Sequence, residues 1–133
     1  MLKIVALAMA GMLTLTPVVA RAETISTHVL DLVRGEGGVG LPVTLSRRQA
    51  DGSWTLLASA TTDDNGRVRA FGDNLQAEEG LYRLSFDMSD MSKPTHSAFF
   101  PEITIVFRVA DPTRHVHVPI VLSPYGYSTY RGN

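Results

Sequence analysis

Residues 115–122 read His115-Val116-His117-Val118-Pro119-Ile120-Val121-Leu122, and the side chains alternate in character. Val116, Val118, Ile120 and Leu122 fall on one side of an extended chain, and His115, His117, Pro119 and Val121 on the other. A period of two is that of a β-strand with one buried face, so two imidazoles point the same way. The stretch just before it repeats the pattern. Ile103, Ile105, Phe107 and Val109 make an apolar face, while Glu102, Thr104 and Arg108 make a wet one, interrupted only by Val106.

Working outward, the same period marks strands at 25–33, 41–48, 54–61, 67–71, 81–86, 103–109, 115–122 and 127–130. RGEGGVG separates the first two, DG the next pair, and DDNG precedes the fourth, each supplying residues that tolerate positive φ or cap a turn. Hairpins are expected at these turns. No window of a dozen residues holds a 3.6-residue apolar stripe; a short helix is expected only at 87–93, stopped by Pro94, with a weaker candidate at 74–79. About eight short strands with tight turns predict an all-β fold, a two-sheet β-sandwich with one short helix.

The N-terminus has a different character. MLK is followed by an apolar stretch at 4–15, broken only by Gly11 and Thr14, and then by TPVVARA with small residues at Ala20 and Ala22. This is the pattern of a secretory signal peptide, expected to span 1–22 with cleavage after Ala22, or alternatively after Ala20. The apolar core is shorter than the roughly 20 residues that cross a bilayer. Residues 23–133 then form one domain. Lys3 and Arg21 leave with the signal and no acidic residue does, so the formal charge becomes more negative than −1, which argues against nucleic acid as a partner. With no cysteine, an exported domain of this size holds together by core packing or association, and thiolate chemistry is excluded.

His28, in STHVLD, is a third imidazole in a strand-like segment, and with His115 and His117 it could form a cluster. Neutral imidazoles act as general bases, orient water, or bind zinc, and H-x-H spacing does not choose between these roles. Arg67 opens a strand after the DDNG turn, where a guanidinium can bind an anionic or carbonyl-rich ligand. Ser123, Ser128 and Tyr130 supply hydroxyls near the histidine strand, but the nucleophile-elbow pattern is missing, so attack by activated water is the simpler chemistry.

With STHVLD, DDNGR, FFPEITIVF and HVHVPIVLSPYGYSTYRG in this order, residues 25–133 resemble the transthyretin-like 5-hydroxyisourate hydrolases of urate breakdown. The resemblance implies a transthyretin-like (prealbumin-like) sandwich assembled as a homotetramer, a dimer of dimers, with sites where the dimers meet. It implies catalytic His28, Arg67 and His117, with substrate bound by His28, Arg67, Tyr130 and Asn133. His115 is a neighbour in that scheme, and Asn133 stands where the family has a terminal Ser. The implied reaction opens the ring of 5-hydroxyisourate with water, giving 2-oxo-4-hydroxy-4-carboxy-5-ureidoimidazoline, with no metal and no organic cofactor. The signal and the bacterial look of the family imply a periplasmic protein, free of the membrane once cleaved. Two other readings remain: a transthyretin-like carrier that binds a planar aromatic ligand without turning it over, and an envelope sandwich using His28, His115 and His117 as metal ligands.

Overall fold

The computed structural model describes residues 24–96 and 99–133; the expected signal peptide lies outside them. Nine strands form there: β1 (Ile25–Asp31), β2 (Glu36–Gly37), β3 (Pro42–Arg48), β4 (Trp54–Thr61), β5 (Arg67–Val68), β6 (Gly80–Asp87), β7 (Glu102–Val109), β8 (Val116–Ser123) and β9 (Gly126–Thr129). They make two sheets. One runs β2-β1-β8-β9 with β5 also paired to β1, and the other runs β4-β3-β6-β7. All pairings are antiparallel except β1 with β8, which run parallel from Ile25 beside Val116 to Asp31 beside Leu122.

The alternation seen in the sequence is what closes the sandwich. Val116, Val118, Ile120 and Leu122 are buried and meet Val43, Leu45, Leu84, Phe86 and Ile103 from the facing sheet. Removing these side chains from water is the main driving force for the fold. Tyr82 is buried among them, and its hydroxyl does not go unpaired: it donates to the carbonyl of Glu78 and accepts from the Glu78 N–H, both at 2.9 Å.

Three expectations change. First, no helix forms among the described residues: Asp87 ends β6, 88–90 are irregular and only 91–92 make a turn. Asp87 Oδ1 accepts from the N–H and hydroxyl of Ser89 at 2.9 and 2.6 Å, and Asp90 Oδ1 does the same with Ser92 at 3.0 and 2.6 Å. These local bonds compete with helical ones and win. At 74–79, both backbone groups of Glu78 are taken by Tyr82. Second, the first strand stops at Asp31 because its carboxylate turns the chain, accepting from Val33 and Arg34 N–H groups at 2.9 and 3.2 Å. Third, the DDNG turn makes no hairpin between its flanking strands. It carries the chain from β4 in one sheet to β5 in the other, where β5 pairs with β1.

That crossover depends on glycine. The Gly66 N–H bonds back to Asp63, Gly66 O accepts from Val29 N–H at 2.8 Å, and Gly38 N–H bonds to Val29 O at 2.9 Å. A β-carbon on Gly66 would lie 2.5 Å from Val29 O, and one on Gly37 only 2.2 Å from Asn65 O. The two turns, RGEGGVG and DDNG, therefore pack backbone against backbone. Thr62, buried beside them, donates to Gly38 O at 2.5 Å and accepts from Leu41 N–H at 2.9 Å.

Candidate active site

The outer face of the five-stranded sheet is where the site forms. On β1, Ser26 and His28 are two residues apart and so share that face. The register sets Ser26 beside His117 and His28 beside Arg67. Arg67 is fixed from behind by the DDNG turn: Asp63 Oδ1 accepts from the N–H groups of Asn65 and Arg67 at 2.9 Å each. Those two bonds hold the Asp63 carboxyl below the usual carboxylate range.

A recess of about 370 Å³ opens on this face, lined by Ser26, Thr27, Arg67, Val68, Arg69, His115, His117 and Asn133. His115 and His117 lie stacked, ring centres 6.3 Å apart and planes 24° from parallel. Ser26 Oγ lies 2.8 Å from His115 Nε2 and 2.7 Å from His117 Nδ1. The last segment then runs antiparallel beside the histidine strand: Gly132 N–H donates to His117 O at 2.9 Å, which sets Asn133 at the rim.

Burial and nearby positive charge favour the neutral form of His28 and His117. Partial burial, and next the Arg67 guanidinium, hold His28 below the ordinary imidazole range, against weaker opposing contributions from the Asn65 backbone and Asp63. Burial, then Arg67, then His115 and His28 do the same for His117, against a backbone contact from Ser26. The arrangement therefore offers neutral imidazole beside a fixed cation, which suits a base that takes a proton from water next to a group that stabilises an oxyanion.

Of the residues expected at the site, Arg67, His117 and Asn133 line the recess with His115 as their neighbour, and His28 lies beside Arg67 on the adjoining strand without lining it. Tyr130 does not join them within one chain. It is 60% exposed and lines a separate, more apolar recess of about 390 Å³ with Ile105, Phe107, Val116 and Val118. Among the described residues no group of three His, Asp or Glu is placed to hold a metal ion. Two contributors were not anticipated. Ser26 joins the histidines, and its only sequence signal is its position two before His28. Gly132 is the second, its signal being a glycine where the chain must cross a ring.

A transthyretin-like sandwich with a histidine and arginine cluster on the outer face of one sheet defines the class. Residues 25–132 match the HIUase/Transthyretin family, and the chain belongs to it. A 5-hydroxyisourate hydrolase of Caulobacter vibrioides is 40% identical over 116 residues, covering 82% of this chain and 97% of that protein. The structure of Klebsiella pneumoniae 5-hydroxyisourate hydrolase superposes with a TM-score of 0.69 at 32% identity, over 83% of this chain and 99% of the other. Transthyretin from Sparus aurata superposes with a TM-score of 0.74 at 26% identity, over 83% and 97%. Fold is thus shared across the family.

Proposed function

We propose that this chain hydrolyses 5-hydroxyisourate, opening its ring to 2-oxo-4-hydroxy-4-carboxy-5-ureidoimidazoline. The observation that carries this reading is the placement of Arg67 opposite His28, with His117 on the same face, in a chain whose relatives are named for that activity. His117 takes a proton from the attacking water, His28 helps orient that water, and Arg67 stabilises the charge that develops on the carbonyl oxygen. Asn133 binds substrate at the rim. General-base assistance supplies about 10²- to 10⁴-fold, so alignment and electrostatics provide the rest.

The proposal extends to a homotetramer, a dimer of dimers, in which a neighbouring copy brings Tyr130 toward the substrate. It also extends to export: cleavage after Ala22 and a periplasmic location, supported by the signal-like pattern of residues 1–22. Cell fractionation with mass measurement of the mature chain tests export, and native mass spectrometry tests assembly.

The decisive experiment follows the decay of freshly generated 5-hydroxyisourate with purified protein. Acceleration by wild type and its loss in His117→Ala support the reading. Wild type that binds substrate without accelerating its decay supports the carrier instead, a reading favoured by the superposition on sea bream transthyretin, whose structure is also known in complex with thyroxine.

A further inference from the structure

Ser26 is buried, 7% exposed, yet its hydroxyl lies within hydrogen-bond distance of two imidazole nitrogens, His115 Nε2 at 2.8 Å and His117 Nδ1 at 2.7 Å. A serine hydroxyl has one proton to donate. It can donate to only one of the two rings, so the other ring must donate to it. Two arrangements satisfy the geometry. In one, His117 donates from Nδ1 to Oγ and Oγ donates to His115 Nε2, which leaves His117 Nε2 unprotonated for substrate. In the other, His115 donates from Nε2 to Oγ and Oγ donates to His117 Nδ1, which puts a proton on His117 Nε2. Only the first makes His117 a base toward substrate, and once Nε2 has taken a proton a shift along the bridge leaves the ring neutral with Nε2–H, an acid.

We propose that Ser26 and His115 form a proton relay behind His117, in which Ser26 is a positioning residue that sets the His117 tautomer and His115 carries the positive charge while the water proton is in transit. The inference rests on the hydrolase reading above. As water attacks, its O–H bond breaks and the proton bonds to His117 Nε2. The Nδ1–H proton of His117 passes to Ser26 Oγ, and the Ser26 hydroxyl proton passes to His115 Nε2. When the ring C–N bond breaks, Nε2 delivers its proton to the leaving nitrogen and the two shifts run backward. Protons balance over the cycle and every relay group returns to its starting state.

The surroundings give the relay its purpose. His117 is partly buried and lies near Arg67, His28 and His115, so a cation there meets both poor solvation and like charge. His115 is on the same outer face but exposed to water. Moving the charge one ring outward places it where it is solvated. The parallel pairing of β1 with β8 makes this possible by setting Ser26 beside His117 in register.

The test combines kinetics with imidazole ¹⁵N NMR on the full protein. Ser26→Ala and His115→Gln are each expected to lower kcat by about 10- to 100-fold with little change in KM, within the range general acid–base assistance supplies. Ser26→Thr, which keeps the hydroxyl, restores most of the rate. Because both residues serve one path, Ser26→Ala combined with His115→Gln is no slower than either alone. Additive losses, or a Ser26→Ala enzyme with wild-type kcat, overturn the relay. The NMR arm does not depend on turnover: wild type shows His117 as the Nδ1–H tautomer and Ser26→Ala loses that preference, whereas an Nε2–H tautomer in wild type overturns it. If wild type leaves 5-hydroxyisourate untouched, the hydrolase reading fails, and the relay with it, while the tautomer result still tells whether Ser26 positions His117.

Discussion

Gly132 lies over the imidazole of His117: a β-carbon built on it would sit 2.4 Å from Cδ2 and 3.1 Å from Cγ, and its N–H bonds to the His117 carbonyl. The glycine before Asn133 is thus a spatial requirement, since any side chain there pushes either the ring or the terminal segment aside. Gly132→Ala should lower kcat/KM by about 10- to 100-fold, as expected when a reacting group is displaced by about an ångström. Thermal unfolding should move little, because the segment lies at the edge of the sheet. A variant with unchanged kinetics would show that the terminal segment does not align His117.

Activity should climb with pH and level off, with its midpoint below the ordinary imidazole value of about 6.5, because His28 and His117 are both held below it and both work in the neutral form. Arg67→Gln removes a cation that lowers both values, so the surviving activity should show a midpoint at higher pH. The same shifts give stability a sign. Below about 6.5 the unfolded chain takes up protons that the folded chain resists, so stability is complete above that value and falls as pH drops through it. Rate profiles and urea midpoints across pH 5 to 8 measure the two effects separately.

Gly66→Ala should be among the most damaging small substitutions. Gly66 has φ +74° and a β-carbon there would lie 2.5 Å from Val29 O, so an added methyl is strained and also displaces the turn that holds Arg67 opposite His28. Loss of stability of about 1–3 kcal/mol is expected, with loss of activity beyond what unfolding explains. Thr62→Val, which removes the hydroxyl bridging Gly38 O and Leu41 N, should cost about 1–3 kcal/mol while leaving the recess residues in place. Denaturant titration beside rate measurements distinguishes these outcomes.

If a neighbouring copy completes the site with Tyr130, specific activity should fall when the protein is diluted below the concentration at which it dissociates, and Tyr130→Ala should raise KM more than it lowers kcat. Activity per chain that is constant over dilution, across a measured change in mass, would contradict shared sites.

Much of this was readable in the residues. Strands at 42–48, 54–61 and 102–109 follow from alternation that burial enforces, and the shared direction of His115 and His117 follows from the same period. What alternation cannot convey is which strand lies beside which. That Ser26 would meet His117, and Arg67 would meet His28, depends on a parallel pairing and on a crossover between sheets, both set by how distant backbones fit. The glycines of RGEGGVG and DDNG read locally as turn formers, but Gly37 and Gly66 also let two turns touch. The helix expected at 87–93 failed for a different reason: Asp87 and Asp90 bond to serines two positions on, and those serines were visible all along.

The Ser26 to His117 contact joins residues 91 apart in the chain. While residues up to about 115 are being made, β1 has no parallel partner, and its outer face carries two site residues with no site. Closing so long a loop is slow compared with local pairing. Catalytic competence should therefore be the last property this chain acquires during synthesis. It should also be among the first lost when the chain is cut before Gly132, well before the sandwich itself comes apart.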